Sequence, residues 1–274
     1  MKVLLILSIA GAVLAQTPPP ATKAPAKSAP APATATPAKT APTPTPAALF
    51  HPETLKAKAP DLYRVKFVTT HGDFVVEVHR DWAPLGADRL YNLVKNKFFT
   101  DNSFYRFSPG FIVQFGVHAN PAVTKAWAAA TIKDDPVKES NKKGTLTFAM
   151  GGPNTRSTDF FINFKDNTPL DGMGFSPLGT VTEGMDIVEG LYSGYGEMKG
   201  MGAGTGPDQP LVQSQGKAYL DKNFPKLDSI KSATVIFPEA PAPATKGAPA
   251  TKAAPGTGAP ATKAPTPAAP AKKQ

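Results

Sequence analysis

Apolar and polar residues alternate with a period of two along YRVKFVTTHGDFVVEVH, residues 63–79, on both sides of His71-Gly72. This pattern predicts a β-hairpin, 63–70 against 73–79, with one face turned to a core. The period then lengthens: Leu85, Arg89, Leu90, Leu93 and Val94 fall at helical spacing. A helix is expected from Asp81 or Trp82 to about Lys97, with Pro84 near the first turn, where a missing N–H does no harm. The most apolar run, FYRFSPGFIVQFG at 104–116, reads as two half-buried strands turning at Pro109-Gly110. Residues 117–143 read as polar loop, since Pro121 and Pro136 argue against long regular elements. Strands resume at 145–150 and 160–163 around the turn-forming Gly-Gly-Pro-Asn, and again at 178–181. A short helix at 183–191, a glycine-rich loop at 194–206, a helix at 213–223 and a strand at 233–237 complete the pattern. Many short strands with two or three helices predict a mainly β fold, a closed β-barrel capped by helices, because closure removes exposed edges.

Composition divides the chain. Residues 17–50 and 241–274 consist almost wholly of Ala, Pro, Thr, Lys and Gly, too poor in apolar side chains to bury a core. The organisation read from this is a signal peptide at 1–15, a disordered linker at 16–50, one folded domain at 51–240 and a disordered tail at 241–274. The formal charge of +9 belongs to the ends alone: Lys2, Lys23, Lys27, Lys39, Lys246, Lys252, Lys263, Lys272 and Lys273 carry it, and the 21 acids lie between them. A neutral domain has no electrostatic footprint for a phosphate backbone, so no nucleic-acid partner is expected. The tails repeat Pro-Ala-Thr-Lys from 20, 243, 249 and 260. Extended and lysine-spaced, they suit either a solubilising linker or a weak hold on an anionic envelope polymer.

The first residues, MKVLLILSIAGAVLAQ, have a lysine, an apolar run and small residues before Gln16, the pattern of a secretory signal peptide. The run is short for a membrane span, so the expectation is export to the periplasm or beyond without stable membrane insertion. The absence of cysteine excludes disulfides, thiol nucleophiles and thiolate metal sites. His51, His71, His79 and His118 are scattered, without the close pairing of a zinc site. No Gly-x-Ser-x-Gly elbow occurs. The segment YSGYGEMKGMGAGTG lacks the Gly-Lys-Ser/Thr ending of a phosphate cradle and reads as a loop.

Arg106 and Gln114 stand out, polar residues inside the most apolar stretch. On pattern alone they would face solvent on half-buried strands. The segments FYRFSPGFIVQFG, TLTFAMGGPNTRSTDFFINF and LDGMGFSPLGTV, however, occur in the order and spacing of the cyclophilins, barrel-shaped peptidyl-prolyl cis-trans isomerases. The resemblance spans about 63–237, leaves out both tails, and suggests a bacterial, exported member of that family. It implies an isomerase, or rotamase, that acts as a monomer on proline-containing polypeptides, without metal or cofactor, and assists folding in the manner of a chaperone. Carried over residue by residue, Arg106 donates to the proline nitrogen of the twisted amide and Gln114 orients it and the substrate carbonyl. Phe111, Ile112, Phe161 and Leu170 wall the proline pocket, with Phe175 at its edge, while Ala149 and Met150 offer backbone to the peptide. Phe111 and Gln114 are three apart, so a regular strand would send them to opposite faces, and a bulge or bend is required between them.

Three residues depart from the family pattern. Asp159 stands where glutamine is common, which replaces a substrate-facing amide by a carboxylate able to pair with Arg106 or Arg156. Met150 stands in place of asparagine, and Pro169 where eukaryotic members often have tryptophan. A carboxylate drawing Arg106 aside would suit the rival reading, a non-catalytic proline-peptide-binding module or holdase chaperone.

Overall fold

The computed structural model describes residues 45–237; the stretches read above as signal peptide, as linker up to residue 44 and as tail lie outside them. Strand β1 (Leu62–Thr69) pairs antiparallel with β2 (Asp73–His79), Val65 opposite Val76 and Val68 opposite Asp73. The alternation behaves as its pattern implies: Tyr63, Val65, Phe67, Phe74, Val76 and Val78 are buried. Helix α1 (Pro84–Lys95) follows. Its N-cap, Ala83, has no side chain to offer, so the buried carboxylate of Asp135 accepts from the amides of Leu85 (3.0 Å) and Gly86 (2.9 Å) instead.

The chain then forms β3 (Asn102–Ser103), β4 (Arg106–Ser108) and β5 (Ile112–Phe115), helix α2 (Pro121–Ala128), and strands β6 (Thr145–Phe148) and β7 (Phe160–Asn163). A 3-10 helix at Thr168–Met173, β8 (Pro177–Glu183), α3 (Met185–Glu189), α4 (Gln209–Gln215), α5 (Lys217–Asn223) and β9 (Ser229–Ile236) complete it. The nine strands among the described residues join one antiparallel sheet in the order β3-β9-β1-β2-β8-β6-β7-β5-β4.

The sheet curls, but the closed barrel expected from the sequence is not formed by its ladders: β3 and β4, the two ends of the order, do not pair. Only Phe104 and Tyr105 separate them in the chain, so the two edges lie close together. The two residues of β3 are taken by β9, and Phe104 continues toward that side, its amide bonded to the carbonyl of Asp228 at 3.0 Å. The gap is bridged by a side chain instead. Asn102 Nδ2 donates to the Val117 carbonyl (2.8 Å), and the Gly116 amide donates to Asn102 Oδ1 (3.0 Å), just beyond β5. Inside the curl, Phe67, Phe74, Phe99, Phe104, Phe115, Phe148 and Phe160 are buried, several in edge-to-face or stacked contact. Each such ring contributes roughly 2–3 kcal/mol of burial.

Other departures have local causes. Residues 117–143 contain a helix after all, because Pro121 sits in its first turn and the Asn120 side chain caps it by accepting from the Ala122 amide. The expected helix at 213–223 is two, broken at Gly216 (φ 61°), whose neighbour Lys217 donates its amide to the Ala119 carbonyl. Folded residues also begin ahead of the boundary placed at 51. Ala47–Phe50 is a 3-10 helix with Leu49 in the core, and the Leu49 carbonyl accepts from the Trp127 indole at 2.8 Å.

Candidate active site

The site begins with the hairpin β4–β5. Residues 109–111 connect the strands, Gly110 taking the left-handed conformation (φ 65°) that such three-residue turns need, and the Phe111 amide closes back on the Ser108 carbonyl at 3.0 Å. The register sets Arg106 opposite Gln114, Phe107 opposite Val113 and Ser108 opposite Ile112. Phe107, Val113 and Phe115 therefore enter the core, and Arg106, Gln114 and Ile112 share the other face. On the next strand Phe161 lies opposite Gln114, adding a third strand to that face.

This outer face is not simply solvated. Ile112, Phe161 and Leu170 form a buried apolar cluster separate from the main core, with Phe111, Ala149 and Phe175 packed against it. The Phe175 ring meets Phe161 edge-on at 5.7 Å. The bend required between Phe111 and Gln114 is the turn itself: Phe111 precedes β5 and is freed from strand parity. Its carbonyl is held by the Phe164 amide (2.9 Å) and Asn167 Nδ2 (3.0 Å), and Asn167 in turn donates to the buried Asn163 (2.7 Å).

The cluster, Arg106 and Gln114 line a groove of about 600 Å³, which Met150 and Asp159 also border. All ten residues assigned from the sequence are thus brought together. Glutamine 114 is half of the polar apparatus: its Oε1 accepts from Arg106 Nη1 (3.0 Å), and its Nε2 donates to the Tyr105 hydroxyl (2.5 Å). The two bonds fix which end of the amide faces the arginine.

Asp159 pairs with neither arginine, contrary to the sequence expectation. Its Oδ1 accepts from the Tyr105 hydroxyl at 3.0 Å. Burial pushes its carboxyl up to about 6, and the Tyr105 bond opposes that rise. Tyr105 is itself buried, and burial together with the Asp159 charge raises its hydroxyl well above the ordinary value. Arg156 is turned the other way: it is buried, donates to Asp134 (Nε, 3.1 Å) and Asp135 (Nη1, 3.1 Å), and reaches the Lys133 carbonyl. The acid that does hold Arg106 is Glu197, with Nε to Oε1 at 2.6 Å and Nη2 to Oε2 at 3.0 Å. Burial alone would raise the Glu197 carboxyl, but hydrogen bonds from Arg106, the Met198 amide and Ser108 keep it below the usual range.

Sequence reasoning missed Glu197, Tyr105 and the far wall of the groove, which comprises Met198, Met201, Gln209 and Gln213. One signal was available: Glu197 is the sole acid in the glycine-rich segment 194–206. Another was the methionines, since four of the chain's six, Met150, Met173, Met198 and Met201, border the groove as a soft apolar wall. Among the described residues no group of His, Asp and Glu is placed to hold a metal ion, and no helix is long and apolar enough to cross a membrane.

The arrangement offers hydrogen-bond donors fixed beside an apolar cluster large enough for a small ring. Residues 64–209 match the family described as cyclophilin type peptidyl-prolyl cis-trans isomerase/CLD. Among relatives, the peptidyl-prolyl cis-trans isomerase of Acinetobacter baylyi is 32% identical over 130 residues, 46% of this chain and 69% of that protein. Peptidyl-prolyl cis-trans isomerase B of Escherichia coli is 28% identical over 181 residues, 62% of this chain and 98% of its own length. A solved cyclophilin type peptidyl-prolyl cis-trans isomerase of Cryptosporidium parvum, 18% identical, covers 65% of this chain and 99% of its own, with a TM-score of 0.48.

Proposed function

The chain belongs to the cyclophilin-type peptidyl-prolyl cis-trans isomerase family, and from that premise we propose that it turns Xaa-Pro bonds in the groove of Arg106 and Gln114. The reaction makes and breaks no covalent bond. Its barrier, about 18–20 kcal/mol, is the loss of amide conjugation as the bond twists, and the proline nitrogen regains its lone pair in the twisted state. A donor aimed at that nitrogen binds the twisted amide better than either planar form, which lowers the barrier without tightening the ground state. Arg106 supplies the donor. Gln114 fixes Arg106 through Nη1 and is itself fixed by Tyr105. Phe111, Ile112, Phe161 and Leu170 receive the proline ring, with Phe175 closing its edge and Ala149 and Met150 offering backbone to the preceding residues.

The observation that carries this reading is the cross-strand pairing of Arg106 with Gln114 beside the buried cluster of Ile112, Phe161 and Leu170. The test is cis-to-trans turnover of a short Ala-Pro peptide by the full chain, compared with Arg106→Ala. Turnover no faster than the spontaneous rate, with the peptide still bound, would favour the holdase reading. The contact that motivated that rival, Asp159 to Arg106, is replaced by Asp159 to Tyr105. The leader-like residues 1–15 support exported or envelope polypeptides as the clients, and release of a chain beginning at Gln16 into the medium or periplasm is the corresponding test.

A further inference from the structure

We infer that Glu197 is a positioning residue for the isomerisation, holding the Arg106 guanidinium in the plane from which it serves the proline nitrogen; the inference rests on the isomerase reading above. Arg106 stands on β4, at one end of the strand order, and its long side chain has several rotatable bonds. The single bond from Nη1 to Gln114 fixes one nitrogen and leaves the plane free to swing about it. Adding Nε to Oε1 and Nη2 to Oε2 of Glu197 gives three contacts from three nitrogens, which define a plane.

Counting donors separates a support from an obstruction. A guanidinium has five N–H groups, of which Glu197 takes two and Gln114 one. Two stay uncommitted, one on Nη1 and one on Nη2, so the ion pair orders Arg106 without exhausting it. The pair is also sheltered, with the Arg106 side chain 13% and that of Glu197 22% exposed, so water competes weakly for it.

Glu197 is held in turn. The Met198 amide donates to its Oε1 at 2.8 Å, and the Gly206 amide to its backbone carbonyl at 2.9 Å. The Met198 side chain is buried with Tyr105, Val117, Val212 and Leu220. At Gly204 the backbone passes so close that an added Cβ would lie 2.1 Å from the Met198 carbonyl oxygen. The loop is built around its one acid, and its packing anchors the carboxylate.

The experiment measures kcat and KM of the full chain on an Ala-Pro peptide for the parent, Glu197→Gln and Glu197→Asp, alongside the Arg106 Nε–H signal by NMR. Glutamine keeps the length but presents an NH₂ to one of the two guanidinium donors. We expect kcat to fall about tenfold in Glu197→Gln, with KM within about twofold and melting little changed, and partial recovery in Glu197→Asp. The Arg106 Nε–H signal should be sharp and slow to exchange in the parent and should broaden or vanish in Glu197→Gln. An unchanged kcat would overturn the inference. So would a rise in kcat, which would mark Glu197 as an inhibitory clamp, or a change confined to KM, which would mark a direct substrate contact. A parent inactive on every Xaa-Pro peptide would overturn the isomerase reading instead, and the Nε–H signal would then decide the hold of Glu197 on Arg106 by itself.

Discussion

Replacing Asp159 by asparagine keeps the shape and the acceptor that Tyr105 uses but removes a charge the fold resists. Burial lifts this carboxyl from an ordinary 3.8 to about 6, so the folded protein holds its proton more tightly than the unfolded chain does. The sign follows from linkage: between those two values the native state binds more protons, and stability contributed by Asp159 is full below the lower one and lost as pH rises through the upper. Taken whole, the displacement corresponds to about 3 kcal/mol. Asp159 is half-buried and water screens it in part, so about 1–2 kcal/mol is expected to remain. Urea unfolding of the parent and Asp159→Asn at pH 4, 6 and 8 isolates this contribution, because every other group titrates alike in both. The variant should match the parent at pH 4 and exceed it by about 1–2 kcal/mol at pH 8. A difference that does not change with pH, or a less stable variant at pH 8, would refute the reasoning. Turnover at pH 8 should stay within about twofold, roughly 0.4 kcal/mol of barrier, since Asp159 does not touch Arg106; a severalfold rise would revive the pairing with Arg106.

Four further outcomes are expected. Arg106→Ala should lower kcat/KM on an Ala-Pro peptide by about one to three orders of magnitude with melting little changed, and Arg106→Lys should rescue poorly because an ammonium lacks the planar fork that engages Gln114 and both oxygens of Glu197. Phe111→Ala should raise KM more than it lowers stability, about 1 kcal/mol by thermal unfolding, because Phe111 is half-buried on the groove rim rather than in the main core. Asp135→Ala should cost about 3–5 kcal/mol in urea unfolding, since it strips a buried charge from Arg156 and leaves the first amides of α1 without acceptors. Gly204→Ala should move the loop that carries Glu197 and lower kcat in the same sense as Glu197→Gln, with little change in KM.

Where local pattern and burial agree, the sequence was readable. The hairpin β1–β2 has one buried face and one that is half-exposed except at the buried Val75, so its period of two is plain, and β2 begins and ends at Asp73 and His79 as expected. That ten residues would gather at one groove was readable for a different reason: they come in short contiguous runs whose spacing resembles a known family. What stayed hidden depends on contacts distant in sequence. Glu197 meets Arg106 across 91 positions, and no pattern around either residue encodes that meeting. Asp159 looked nearest to Arg156, yet Arg156 is drawn inward by Asp134 and Asp135, more than 20 residues upstream. The unpaired seam was hidden by the same cause, since a two-residue strand such as β3 leaves almost no periodic trace.

The hydrogen bonds that meet at Gln114 have a sense as well as a length. Arg106 gives a hydrogen to Gln114, Gln114 gives one to Tyr105, and Tyr105 gives one to Asp159, every link pointing from the cation toward the acid. Such a relay cannot be reversed. Turning the Gln114 amide over would set its NH₂ against a guanidinium that only donates. Glutamate at 114, nearly identical in shape, would have no hydrogen to pass on, and the Tyr105 hydroxyl would face two carboxylates with one proton to offer. Exchanging that one nitrogen for oxygen would therefore break the relay at its middle while leaving the outline of the side chain unchanged.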